Sequence, residues 1–246
     1  MKKLKSAARA TAIFIRDSKP LVAVLMVLTG IGVSITGVIF SQGIFRILPL
    51  YVSLFVMMLQ GKANRYGYLL GSINSVIYTA VYLYYGLISA AFSTLLVSAP
   101  MQLFTFFRWS KRSYKKSTVF KRLSAKGWAV SILLTALFYI ALHLMSSLTG
   151  GKYIILDSLG SALNFVSTGL TLLAYVEYTP FQLLSGIVGV LLNIQMIPDL
   201  PEQTTFLVYS IFATICITRG LINVYSIYGE QKSQNPIKEQ EIQINA

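Results

Sequence analysis

The sequence predicts an all-α integral membrane protein with seven or eight transmembrane helices, and three observations carry that expectation. Hydrophobic residues make up 55% of the chain and charged ones 12%, whereas soluble domains carry roughly a quarter charged. Uncharged apolar runs of about bilayer length recur from end to end. The Lys and Arg residues sit in short segments beside those runs, as membrane topogenesis requires. The net charge of +13 therefore reads as topology. No basic helix with interleaved exposed aromatics stands apart from the apolar runs, so a nucleic-acid partner is not expected.

Taken in order, residues 1–43 form a basic N-terminus and an extra helix. MKKLKSAARATAIFIRDSK holds six basic residues and one acid, and 21–40 (LVAVLMVLTGIGVSITGVIF) gives twenty uncharged positions. That run is too long for a signal-peptide h-region and lacks an A-x-A ending, so it reads as a retained helix. Further spans are expected at 45–60, 66–86, 88–107, 128–148, 154–176, 179–198 and 204–228. The second is the least regular, because Arg46 and Pro49 fall near its start.

Charge sets the direction of each span. The 108–127 segment (RWSKRSYKKSTVFKRLSAKG) holds eight Lys or Arg and no acid, so it belongs on the cytoplasmic side with the basic N-terminus. Four crossings separate the two, and eight return the polar residues 229–246 to the same side. PDLPEQ (198–203) lies opposite, and Arg46 is the one base expected there.

A weak internal echo divides the core. In MQLFTFFRWSK (101–111) and INVYSIYGEQK (222–232), Gln102 aligns with Asn223, Phe104 with Tyr225, Thr105 with Ser226 and Phe107 with Tyr228. The core, 44–228, then reads as one three-helix repeat (44–108), a connector (128–148) and a second repeat (154–228). An odd connector gives both repeats the same orientation, and such repeats place a substrate site at mid-membrane between them.

Asn74, Gln102, Asp157, Asn164, Gln182, Asn193, Gln195, Arg219 and Asn223 fall within or at the edges of the spans. A buried amide without partners costs a few kcal/mol, so these side chains face protein, water or ligand rather than lipid. Interhelical hydrogen bonding accounts for any one of them. Their recurrence in both halves points to a lined cavity. Gln102, Phe106 and Trp109 share one helix face at i, i+4 and i+7. An amide beside rings suits the edge and plane of a ribosylated or cationic heterocycle. Trp109 is close enough to the interface to be an aromatic-belt anchor instead. Asp157 lies near the end of its span, where Arg219 could pair with it or reach a cavity. His143, in the connector, and Cys216, in an apolar run, read as packing residues.

No H-E-x-x-H, G-x-S-x-G, C-x-x-C or glycine-rich phosphate loop occurs. No second intramembrane acid completes an aspartyl dyad, so neither an enzyme nor a cofactor is expected.

These residues resemble the PnuC family of bacterial vitamin transporters over most of 45–230. The likeness is clearest in YGYLLGSINSVIYTAVYLYYGLISA (66–90), in LDSLGSALNFVSTGLTLLAYVEY (156–178) and in the 101–111 helix end. Asp157-Ser158 and Tyr175-Val176-Glu177 match the family's opening and closing of the sixth span. The resemblance implies a three-plus-one-plus-three arrangement similar to SWEET transporters, with an extra N-terminal helix. It implies an energy-independent facilitator of nicotinamide riboside, trapped inside by a kinase, in a bacterial inner membrane with both termini cytoplasmic. Where nicotinamide riboside carriers end span four with Asn, Trp and Trp, this chain has Gln102, Phe106 and Trp109. Gln182 and Gly186 stand where a Trp and an Asn are favoured in span seven. Asn223 is retained, with Tyr228 in place of a common Trp. Related branches carry thiamin, riboflavin or deoxyribonucleosides, and a non-transporting receptor or assembly protein is the rival from another class. The candidate substrate-binding residues are Asn74, Gln102, Phe106, Trp109, Asn164, Gln182, Asn223 and Tyr228. Expected partners are a small vitamin or nucleoside and the bilayer, with self-association left open.

Overall fold

In the computed structural model, which describes residues 19–234, the chain forms α1 (Lys19–Ile39), α2 (Ile44–Gln60), α3 (Tyr66–Tyr84), α4 (Ile88–Lys111), α5 (Ala125–Leu148), α6 (Ile154–Leu172), α7 (Tyr178–Met196) and α8 (Gln203–Gln234). The basic residues 1–18 and the last twelve positions, 235–246, lie outside the described residues.

Every helix presents apolar side chains outward. On α3, Leu70, Ile73, Val76 and Leu83 are exposed, while Gly71, Ser72, Asn74, Ser75 and Tyr78 are buried. That is the reverse of a water-soluble amphipathic helix and follows from lipid as the outer solvent. Five helices are long and apolar enough to cross a membrane: α1, α4, α5, α7 and α8. The others are α2, which is shorter, and α3 and α6, whose small and polar residues lower their hydropathy. Those polar residues face inward, so the shortfall reflects what these helices enclose.

Six helices close a ring. Neighbouring pairs run α2–α3, α3–α4, α4–α6, α6–α7, α7–α8 and α8 back to α2. Helix α1 packs outside against α8 and α2, and α5 packs outside against α6 and α4. The two outer helices thus cover the two places where 44–111 meets 154–234.

Pro49 sits within an otherwise regular α2, and Arg46 is accommodated by its surroundings. Its guanidinium lies 3.7 Å from the centroid of the Tyr84 ring and 4.0 Å from Glu202 Oε1. Helix α4 is interrupted by a π-helical segment, Thr94–Ser98, immediately before Ala99-Pro100. Proline has no N–H for the regular ladder, and a π-bulge absorbs the mismatch.

The 108–127 segment is more structured than the loop expected from its charge. Helix α4 runs on through Lys111, a two-stranded turn pairs Ser113–Tyr114 with Ser117–Thr118, and Ser124 caps α5 by accepting from Gly127 N–H at 3.2 Å. This turn also orders residues read as a tail. Gln231 donates to Thr118 O at 2.8 Å and accepts from Phe120 N–H, while Lys115 Nζ lies 3.0 Å from Glu230 Oε2. The hydrogen bond that Lys115 donates to Glu230 raises the Lys115 pKa. Helix α8 therefore continues to Gln234, about 48 Å in all at 1.5 Å per residue, longer than a hydrocarbon core.

Candidate functional site

The interior of the ring is written on two helices. On α6, Asp157, Ser161, Asn164, Thr168 and Thr171 recur at i, i+4, i+7, i+11 and i+14, a stripe of helical period. Across from it, the small and polar face of α3 carries Gly71, Asn74, Ser75 and Tyr78. Between them lie two adjoining cavities that share Met57, Tyr78, Tyr82, Thr94, Asn164, Gln182 and Tyr209 as a common wall. The lobe nearer the basic 108–127 end has a volume of about 200 Å³, and the far lobe about 300 Å³. Together they match the lower range of small-molecule sites.

Four of the eight expected site residues meet at this cavity. Asn74 is buried and donates to Pro49 O (3.0 Å) and Ser53 Oγ (2.7 Å), while Ser53 in turn donates to Tyr78 Oη (3.2 Å). The other amide atom, Asn74 Oδ1, is buried without a hydrogen-bond partner. Gln102 accepts from Gln60 Nε2 at 3.4 Å and donates to Ser75 Oγ at 3.1 Å. A Cβ on Gly71 would collide with Gln102 Oε1, so only glycine there leaves room for this relay. Asn164 donates to Ser98 Oγ at 3.0 Å, beside the π-segment, and lines both lobes. Gln182 also lines both, and its amide makes no hydrogen bond among the described residues.

The other four lie below the cavity. Trp109 is fully buried, donates its indole N–H to Thr171 O at 3.0 Å, and packs against Tyr68, Phe120 and Tyr178 at centroid distances of 4.7, 5.5 and 6.5 Å. It is neither a belt anchor nor a cavity wall. The folded-back 113–120 turn puts Phe120 where lipid headgroups were expected. Phe106 packs on Tyr66 and Phe107. Asn223 donates to Gly61 O at 3.4 Å, and Tyr228 packs beside the Trp109 cluster. Helix pitch explains the split: from Gln102 to Trp109 is about 10 Å of rise, enough to leave the cavity.

Sequence reasoning missed Tyr78 and Tyr82, although they stand at i+4 and i+8 from Asn74 and so share its face. Their rings stack at 5.4 Å and 23°. Tyr209, on the opposite wall, carries no signal in its own apolar segment. No Lys, Arg or His lines either lobe, and Asp157 is the one acid.

Asp157 and Arg219, for which the sequence left pairing as one of two alternatives, do not meet. The Asp157 carboxyl oxygens accept the backbone N–H groups of Ser89 and Ala90, each at 3.0 Å. Arg219 lies sixteen residues into α8, about 24 Å along from the end that faces Asp157. It is buried and lines neither lobe.

Each seam between the halves is clamped at both ends. Where α4 meets α6, the clamps are Asp157 with Ser89 and Ala90 at the far end and Trp109 with Thr171 at the basic end. Where α2 meets α8, Arg46 faces Glu202 and Gln42 donates to Glu202 O (2.6 Å) and Thr205 Oγ1 (2.9 Å) at the far end. At the basic end, Gly61 and Gly220 bring the backbones together. A Cβ on Gly220 would lie 3.4 Å from Gly61 Cα.

A ring of apolar-faced helices around an amide- and tyrosine-lined cavity with no lining base has the architecture of a small-molecule membrane transporter. The chain belongs to the nicotinamide mononucleotide transporter family, whose model matches residues 43–224. Its fold is similar to the crystal structure of the vitamin B3 transporter PnuC, with a TM-score of 0.73 and 18% identity, covering 85% of this chain and 92% of that one. No curated protein matches the chain significantly. The protein is thus a multi-pass membrane transporter, and α1 lies outside the matched family region.

Proposed function

We propose that the chain is a facilitator for nicotinamide riboside or a related unphosphorylated vitamin or nucleoside, moving it by alternating access between two similar halves. The observation that carries this reading is the common wall of the two lobes. There the unpaired Gln182 amide and the half-used Asn164 amide stand beside the stacked Tyr78 and Tyr82. Amides match a ribose or a heterocycle edge, and tyrosine faces match its plane. The phosphate of a mononucleotide would bring a charge of nearly −2 to a cavity with no lining base. In low dielectric that charge needs a partner, which favours the nucleoside over the nucleotide. Thiamin, riboflavin and deoxyribonucleosides fit the same chemistry and remain the alternatives.

The order of helices around the ring supports two parallel repeats, as in SWEET-like folds. A half-turn carries α2, α3 and α4 onto α6, α7 and α8, and carries α1 onto α5. Asp157, the one acid in the cavity wall, is engaged by Ser89 and Ala90, which supports transport without a proton relay. Trapping then falls to an intracellular kinase. The eight basic residues of 108–127 place that end in the cytoplasm by the positive-inside rule, with both termini there and a bacterial inner membrane as the setting.

The test is uptake into proteoliposomes with no gradient imposed, using nicotinamide riboside, nicotinamide mononucleotide, thiamin, riboflavin and deoxynucleosides. Saturable, uncoupler-insensitive uptake of one unphosphorylated compound is expected. No uptake into tight vesicles holding folded protein would overturn the reading and favour a non-transporting membrane protein.

A further inference from the structure

Residues 113–123 bridge the two halves across the basic end of the ring. One end of the bridge is anchored to the second half. Lys121 N–H donates to Ala174 O at 2.8 Å, Val176 N–H to Lys121 O at 3.0 Å, and Leu123 N–H to the buried Glu177 carboxylate at 3.0 Å. Toward the first half the bridge makes one backbone bond, from Arg65 N–H to Lys116 O at 3.3 Å. These contacts fall on like places: the α2–α3 and α6–α7 turns each hold an alanine in the left-handed region, Ala63 (φ 49°) and Ala174 (φ 62°).

The bridge also supplies the lowest layer of the aromatic stack beneath the cavity. Tyr68 lines the basic-side lobe and packs on Trp109. Phe120 meets Trp109 of the first half at 5.5 Å and Tyr178 of the second at 6.5 Å, so it wedges a ring from each. Phe120 is held from α8, whose Gln231 accepts Phe120 N–H at 3.0 Å and donates to Thr118 O at 2.8 Å. Lys115 with Glu230 and Tyr114 with Gln234 add contacts at the surface. These grips are side-chain bonds near water, individually weak and readily exchanged for solvent. The 121–123 anchor is backbone and a buried carboxylate, so the bridge has one fixed end and one releasable end. We propose that residues 113–120 are a lid on the basic-side lobe, latched by Gln231, which lifts Phe120 out of the stack to open that end. The proposal rests on the reading of this cavity as the route of a carrier. Gln231 is then a positioning residue, acting on the passage through Phe120.

The test uses the full-length protein carrying Thr168→Cys, a wall position of the basic-side lobe, in membrane vesicles with the basic end outward. Labelling of the introduced thiol by a membrane-impermeant maleimide is followed by mass spectrometry. The native Cys216, clustered with Val22, Leu54 and Phe212, is the internal control for general loosening. Adding Gln231→Ala is expected to speed labelling about tenfold, the loss of two hydrogen bonds. Adding Lys115→Glu should speed it about threefold, and Lys115→Glu with Glu230→Lys, which restores the ion pair in reverse, should return it to the parent rate. Labelling of Cys216, and of the introduced thiol in vesicles of opposite orientation, should not rise. Equal rates with and without Gln231→Ala overturn the inference, and so does an acceleration that Cys216 shares. Uptake of a compound with equal labelling rates removes the lid and keeps the carrier, whereas latch-dependent labelling without uptake of any compound does the reverse.

Discussion

Asp157, on α6, receives the backbone N–H of Ser89, the second residue of α4, at 3.0 Å. Its other carboxyl oxygen receives Ala90 N–H at the same distance, and the hydroxyls of Ser89 and Ser158 meet at 3.1 Å. A side chain from one half of the ring thus satisfies N–H groups that the first turn of a helix in the other half leaves open. Such a cap is worth about 1–2 kcal/mol, and its loss in a lipid-embedded protein also strands two donors. Asp157→Ala is expected to lower stability by at least that much in detergent melts, and Asp157→Asn by less, since one amide oxygen remains to accept. Equal loss in both variants would mean that hydrogen-bond acceptance is not what this residue supplies.

Trp109 divides a packing role from a binding role. Removing a buried aromatic costs about 3–5 kcal/mol, and this one also takes away one of the two donors to Thr171 O, the other being Ala174 N–H. Trp109→Ala should therefore melt well below wild type, while the fraction that stays folded binds substrate with unchanged affinity. Asn223→Ala, away from both lobes, should likewise leave affinity within error. Substrate binding by equilibrium dialysis, normalised to folded protein, checks both.

Gly71 is predicted to govern recognition through Gln102. An alanine methyl would occupy the place of Gln102 Oε1, and the glutamine can swing aside because that atom ends a flexible chain. Gly71→Ala should therefore change stability by no more than about 1 kcal/mol, since alanine also favours the helix. Substrate affinity should fall about tenfold, matching Gln102→Ala, and the double variant should be no worse than either single one. Additive losses in that cycle would show that the two positions act separately.

The Arg46–Glu202 pair is the most solvent-accessible of the four clamps, with side chains 29% and 22% exposed. Partly exposed ion pairs contribute under about 1 kcal/mol, and salt screens them. Glu202→Gln should leave the melting temperature nearly unchanged. If this clamp opens during the transport cycle, the variant should speed ligand release on the far side, read from efflux rates in vesicles at low and high salt. Equal efflux from wild type and variant at low salt would place the moving contact elsewhere.

The spans could be read from the chain because lipid imposes a rule on every helix at once. Outward residues must be apolar, and the run must be about twenty residues long. The start and end of α2, α3 and α6 agree with the sequence reading to within a few residues for that reason. The boundaries that differed lie where water returns. Residues 108–127 read as a basic loop, yet Gln231 and Glu230 on α8 pair with the turn and order it. No local pattern announces a contact between positions more than a hundred residues apart.

Within the membrane, the sequence alone determined which residues are too polar for lipid, because the cost of exposing an amide to hydrocarbon does not depend on the fold. It marked Asn74, Gln102, Asn164 and Gln182 as inward on that ground. Only the tertiary structure decided what each inward residue does. Asn223 faces inward as well, but it ends on the Gly61 carbonyl, and Trp109 ends in a packed cluster. Tyr82 and Tyr209, as apolar as their neighbours by composition, became the cavity wall. Burial is a property of a residue and its period along a helix. Whether the buried face meets a neighbour or a cavity depends on where six helices stand around a ring.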